Sequence, residues 1–149
     1  MIHFSVKVKV ISSKMAETYQ PSHGISYPSS GCYDGNLETY CMTKKVESPY
    51  LQLQFLAIYV HNVMLINRDA TGRSEEDRKK IIERINGAKV ELLDQQKIIK
   101  SCGTIDTSQE KHTFFIDCRG VGTTLKIHLQ RKDYFNLGEV VIYTLGNVN

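Results

Sequence analysis

No apolar run in this 149-residue chain approaches 18 residues, so the sequence offers no membrane-spanning helix. Strong charge of either sign is also missing. Nineteen Lys and Arg stand against 16 Asp and Glu, giving a formal charge of +3 and a pI near 8.6. A dedicated nucleic-acid binder carries a larger, clustered basic excess, so nucleic acid is not an expected partner. No Asn-x-Ser/Thr sequon is present, which leaves N-glycosylation without an acceptor. The first ten residues do not read as a secretory leader, because Lys7 and Lys9 interrupt the apolar stretch. Two expectations follow: a cytosolic chain, or a mature or excised domain whose leader lies elsewhere.

Enzyme signatures are equally sparse. His3, His23, His61, His112 and His128 form no i, i+4 pair, which excludes the helical zinc-protease pattern. No serine elbow is present, and no cysteine has a context that would lower its pKa. Gly120-Val121-Gly122 begins like a phosphate loop, yet an alternating strand pattern follows it, so a turn is expected there. His128 falls on the polar side of that strand and is expected to be exposed. The expectation is a non-enzymatic protein.

What is present is ordinary globular composition, 41% hydrophobic and 23% charged, at a length suited to one domain over 1–149 with a single core. Period-two alternation dominates. Phe4, Val6, Val8 and Val10 alternate with polar residues, as do Leu51, Leu53 and Phe55, then Ala88, Val90 and Leu92, then Leu125, Ile127 and Leu129. Segments 57–66, 96–100, 112–118 and 138–144 are rich in Ile, Val, Phe and Tyr and read as further strands. About eight short strands with few helices predict an all-β, antiparallel β-sandwich.

Two stretches depart from that pattern. Residues 14–49 hold every proline, Pro21, Pro28 and Pro49, in a loop long enough to be functional or held by something. Residues 74–85 are the one convincing helix. Ser74 is its N-cap, Asp77 an acidic capping partner, and Ile81, Ile82 and Ile85 an apolar stripe pinned to a sheet edge.

Four cysteines, an even number, tilt towards oxidation, and neither spacing is a zinc knuckle. Cys102 and Cys118 flank a loop between two strands and could staple them, while Cys41 could close the long loop onto Cys32. Four reduced thiols in a cytosolic protein are the alternative. Within the long loop, Gly31-Cys32-Tyr33-Asp34-Gly35-Asn36 offers several oxygens in a tight bend. Such oxygens suit calcium, although an ordinary turn accounts for Asp-Gly-Asn as well.

The order of motifs is more specific than any one of them. Asp34-Gly35-Asn36, Cys41 and Pro49-Tyr50-Leu51-Gln52-Leu53 resemble the galactose-binding-like jelly roll of the discoidin, or coagulation-factor type C, superfamily. Five later pieces follow in order: Asn67-Arg68, Glu83 to Val90, Cys102-Gly103-Thr104-Ile105, Phe114 to Cys118, and Leu137 to Tyr143. With them, the chain looks like the F-type lectin (fucolectin) branch over about residues 5–145.

The resemblance implies a calcium-bound, fucose-recognising lectin domain. Asp34 and Glu139 would supply carboxylates to Ca2+, and Gly31, Asn36, Tyr40 and Gly138 mainly carbonyls. Tyr40 stands where many members have serine, Gly31 where asparagine is common, and Gly138 where a cysteine usually precedes the glutamate. Cys41 thus lacks that partner, and Cys32 is its substitute. For the sugar, Arg68 and Arg84 match the family's two basic residues. Thr43, beside Lys44, replaces its histidine, and Asp69 follows Arg68 directly instead of after a spacer. An insertion carrying the 74–85 helix replaces a short cysteine-bearing turn. Arginine forks converge donors on adjacent hydroxyls, and a nearby Asp can orient them.

The leading expectation is therefore an extracellular or secreted calcium-containing carbohydrate-binding domain for fucosylated or related glycans. The alternative is a discoidin-like adhesion module that binds a protein or anionic lipid and has no sugar site. Its apolar loop spikes would be Tyr33, Tyr40 and Met42, and Lys44 and Lys45 would meet headgroups. A third is an accessory domain of a larger enzyme or receptor. Single lectin sites are weak, so a homo-oligomer or a larger chain would supply avidity.

Overall fold

The structure, a computed structural model, describes residues 2–22, 24–109 and 111–148. His23 lies outside the described residues, as does the side chain of His3.

The chain opens with strands β1 (Ile2–Lys7) and β2 (Ser12–Met15) and then enters the proline-bearing stretch. That stretch is not structureless. A 3-10 turn spans Ser29–Cys32, and two-residue strands β3 (Cys41–Met42) and β4 (Val46–Glu47) follow. A Cys32–Cys41 disulfide ties the turn to β3. The longest strand, β5 (Tyr50–Ile66), precedes helix α1 (Glu75–Glu83), and then come β6 (Lys89–Asp94), β7 (Lys97–Thr104) and β8 (Thr113–His128). Strands β9 (Lys132–Asp133), β10 (Asn136–Leu137) and β11 (Glu139–Val148) complete the described chain.

All named pairings are antiparallel. The main sheet runs β1-β11-β5-β8-β6-β7, with β2 also on β5. Strands expected separately at 51–55 and 57–66 are one strand, and those at 112–118 and 125–129 are likewise joined. The reason is a bend in place of a break. β5 and β8 stay paired along their length, with register shifts between Gln54 and Ile58 and between Val60 and Asn62. Bulges of this kind kink a strand without ending it. The first half of β5 pairs β2, the second half pairs β11, and β8 pairs both halves. The bent pair thus contributes to both layers of the sandwich.

Gly120-Val121-Gly122 lies inside this bent β8, not in a turn. A Cβ on Gly122 would come within 2.7 Å of Leu92 Cδ1 and 2.8 Å of Leu93 O, so close packing of β6 requires glycine there. The alternating residues form one core that includes Leu51, Leu53, Val90, Leu92, Leu125, Ile127, Phe135 and Ile142. A Cys102–Cys118 disulfide joins β7 to β8. His128 is not exposed as expected. Its side chain is 15% exposed, and its Nε2 lies 2.7 Å from Glu91 Oε1 on the neighbouring strand.

Helix α1 begins as the sequence predicts, with Ser74 Oγ accepting from Asp77 N at 3.2 Å. Ile81 is buried and Ile85, just past the helix, is fully buried. These two residues anchor the insertion to the core and leave its charged face in solvent.

Leu125 is fully buried on the central strand. Leu125→Ala is expected to destabilise the fold by about 2–5 kcal/mol in urea unfolding, as large-to-small core changes do. A change below about 1 kcal/mol would contradict this account of the core.

Candidate functional site

Two candidate sites are joined by the 14–49 stretch, which reaches Arg68 through Tyr40 and Glu139 through Gly35. The first is built around guanidinium groups. Arg68 follows the end of β5, where Asn67 fixes the chain. Asn67 Oδ1 accepts from Arg68 N at 2.8 Å, and Asn67 Nδ2 donates to Ile82 O at 3.1 Å, so the same residue holds the inserted helix. Arg84 stands at the C-cap of α1. Arg131 donates to the helix-end carbonyls, at 2.6 Å to Asn86 O, 3.1 Å to Arg84 O and 3.4 Å to Glu83 O. A cation at this end satisfies orphan carbonyls and meets the negative end of the dipole. The Arg84 backbone is thereby held in place.

The structure brings the two arginines together. Asn136 Oδ1 accepts from Arg84 Nη1 at 3.1 Å and from Arg68 Nη1 at 3.4 Å. Arg68 Cζ lies 3.9 Å from the centroid of the Tyr40 ring, and Arg84 Cζ lies 4.7 Å from that of Tyr134. These two rings end a continuous run of tyrosines. Tyr40 stacks on Tyr27 at 4.6 Å, Tyr27 on Tyr19 at 6.2 Å, and Tyr19 meets Tyr134 edge-on at 6.2 Å. Aromatic faces attract guanidinium charge, so the run seats both arginines. Burial, with Tyr27 as a further cause, pushes the Tyr40 phenol up to about 12. Burial likewise lowers both arginines from their usual range.

Arg68 is 5% exposed, whereas Arg84 and Tyr134 are half-buried and line a cleft of about 1090 Å³ beside α1. Arg84 and Tyr134 therefore open onto the cleft, while Arg68 is buried. Asn136, Tyr134, Tyr19 and Tyr27 are contributors that the sequence reading missed. Asn136 does carry a signal: it is the one polar residue between Phe135 and Leu137, both fully buried.

Other expected contacts are not in this group. Thr43 is fully buried and its hydroxyl is occupied, donating to Lys44 O at 2.8 Å and accepting from Phe135 N at 2.9 Å. It therefore cannot take the place of the family's histidine. Asp69 does not orient the arginines. It is exposed, and its Oδ1 accepts from the Thr71 backbone and hydroxyl, which holds its carboxyl below the usual range. Lys44 is exposed, and Lys45 lines the cleft. Met42 is no apolar spike, being buried with its Sδ 3.9 Å from Arg68 Nη1. Tyr33 is half-buried, with its hydroxyl 3.0 Å from Ser13 Oγ.

The second site is made of oxygens. Glu139, first residue of β11, is 3% exposed. Its Oε2 accepts from Gly35 N at 2.7 Å, and its Oε1 is buried without a partner. Burial raises its carboxyl above the usual glutamate value, and the nearby Asp34 carboxylate adds to the rise. The Thr39 hydroxyl meets Asp34 Oδ2, lies 2.9 Å from Asn36 O and lies 3.3 Å from Gly31 O. One hydroxyl proton cannot satisfy three acceptors, so the oxygens converge beyond what hydrogen bonding uses. Thr39, not foreseen, supplies a hydroxyl one residue before Tyr40, the position expected to have lost it. Among the described residues no three His, Cys, Asp or Glu side chains converge, so a cation here would depend on backbone carbonyls. Gly31 packs against this loop so closely that a Cβ would lie 2.8 Å from Tyr40 O. Gly138 N donates to Ile66 O at 2.9 Å, which anchors the residue before Glu139.

No protein-family model and no curated protein matches the chain. Solved structures do. The lectin domain of lectinolysin, solved as a His 62 mutant with Lewis b, superposes with a TM-score of 0.73 at 17% identity, over 89% of this chain and 90% of that one. A Streptococcus pneumoniae fucose binding module gives 0.72 at 19% identity, over 89% and 93%. The chain shares the β-sandwich fold of these modules. A fucolectin from striped bass (Morone saxatilis) serum gives 0.68 at 19% identity, covering 92% of this chain and 45% of that longer one. Helix α1 lies beside the arginines, with Arg84 at its C-cap.

The raised Glu139 carboxyl has a consequence for stability. A carboxyl whose folded pKa exceeds its unfolded value of about 4.3 loses stability as pH rises between the two, because ionisation in the fold is the costlier. In metal-free protein, Glu139→Gln is expected to remove that downward contribution in urea unfolding as pH rises above the ordinary glutamate range. Parallel profiles for variant and wild type would contradict it.

Proposed function

We propose that this domain is a non-enzymatic, calcium-containing lectin that recognises fucose or a related terminal sugar through Arg84 and Arg68. The observation that carries the reading is the pair of guanidiniums meeting on Asn136 Oδ1, with the Tyr134 ring beside them in an open cleft. Guanidinium forks present fixed donors to adjacent hydroxyls, and an aromatic face packs on the C–H surface of a sugar. The glycan-binding proteins that share the fold support it. Two disulfides among the described residues favour an oxidising, extracellular setting.

The orphaned Glu139 oxygen and the convergent oxygens of Gly31, Asp34, Asn36 and Thr39 suit a hard divalent cation. When bound, Ca2+ would compensate the buried carboxylate and fix the loop. Tyr40 lies in that loop and carries Arg68 on its ring, so the ion would order the sugar site at one remove.

The lipid-binding alternative has less support, because Met42 is buried and Tyr40 is committed to the tyrosine run. Two outcomes are expected. Calcium at about 100 times its dissociation constant adds roughly 2.7 kcal/mol, a rise in Tm of about 5–10 °C that chelation reverses. No rise in wild type, or an equal rise in Glu139→Gln, would remove the metal. Arg84→Ala is expected to abolish binding on a glycan array while the far-ultraviolet circular dichroism stays native. Retained binding would remove the sugar site.

A further inference from the structure

A buried charge is tolerated when something pairs it. Arg68 is buried, its Nε has no acceptor, and its Nη1 meets only neutral atoms, Asn136 Oδ1 and Met42 Sδ. The Tyr40 phenol, with a pKa pushed up to about 12, is neutral at pH 7 and offers its ring alone. Arg84 shares the same neutral oxygen. The exposed Arg73 bears electrostatically on both. Among the described residues, no carboxylate oxygen lies within 4.0 Å of a charged nitrogen of any of the three.

The two acids best placed to compensate them are committed elsewhere. Asp69 turns back to Thr71. Asp133 bears on Arg84 electrostatically, but its Oδ2 accepts from Arg131 Nε at 3.1 Å and its Oδ1 from Tyr134 N at 2.7 Å. The adjoining cleft continues the imbalance, with seven Lys and Arg against four Asp and Glu among its described lining residues.

We infer that the glycan bound here carries an anionic substituent, a carboxylate or a sulfate ester, set against Arg84 above Arg68. This rests on the carbohydrate reading of the site and narrows its ligand class. Sugar hydroxyls alone would accept hydrogen bonds yet leave the buried Arg68 and the half-buried Arg84 without a carboxylate in contact. A carboxylate or sulfate oxygen pair matches the guanidinium fork and supplies the missing charge. The cleft beside Tyr134 leaves room for the flanking sugar residues.

Isothermal titration calorimetry with three oligomers of equal length tests this: a galacturonate, a sulfated fucose and a neutral fucose. At least one anionic probe is expected to bind about tenfold or more tighter than the neutral one, as charge-assisted hydrogen bonds do. That advantage should shrink when salt rises from about 0.05 to about 0.5 M. Arg73→Gln, an exposed change that removes one nearby positive charge, should narrow the anionic advantage and leave the neutral affinity unchanged. Equal affinity for anionic and neutral sugars would overturn the inference and leave the carbohydrate reading standing. Silence with all three sugars would overturn both, and binding to phosphatidylserine vesicles in that case would identify a headgroup as the ligand instead.

Discussion

One side-chain oxygen organises the arginine cluster of this domain. Asn136 Oδ1 receives a guanidinium N–H from Arg68, after the end of β5, and another from Arg84, at the end of the inserted helix. Two like charges sharing a neutral acceptor repel, and separate devices offset that repulsion. The tyrosine rings give each guanidinium a π face, and Arg131 holds the carbonyls on which Arg84 is mounted. The core then fixes Asn136 itself, because Phe135 and Leu137 on either side are fully buried. A buried acceptor between two buried apolar neighbours has little freedom to reorient.

The proline-bearing stretch gains its meaning from the same arrangement. Its disulfide closes a short loop whose last residues deliver Tyr40 beneath Arg68 and Cys41 into β3. The loop's Gly35 N–H donates to Glu139 while the loop's Tyr40 ring faces the arginine. The proposed ion site and the proposed ligand site therefore share one piece of backbone, and ordering the first would stiffen the second. Such coupling needs no long pathway, since Tyr40 belongs to both.

The sandwich was legible in the sequence because burial on one face imposes strict alternation. Leu51, Leu53, Val90, Leu92, Leu125 and Ile127 all point into the core as their spacing predicts. Both disulfides and the meeting of Arg68 with Arg84 were also anticipated. What alternation could not reveal is where a strand bends without ending. Bulges leave no polar break, so β5 and β8 each read as two strands, and Gly120-Val121-Gly122 read as a turn. The site was less legible than the frame. Asp69 and Thr43 are polar residues at plausible positions, yet local backbone donors and acceptors occupy them both. Conversely, Tyr19, Tyr27 and Tyr134 lie far apart in the chain, and only the folded loop stacks them.

The central claim is that Arg68 and Arg84 act as one ligand-facing unit on Asn136. Nuclear magnetic resonance of the arginine guanidinium groups during a glycan titration tests it most directly. Resonances of Arg68 and Arg84 should shift together, with one saturation curve, and Asn136→Ala should uncouple them. Shifts confined to residues elsewhere, with both guanidiniums unmoved at saturation, would contradict the account.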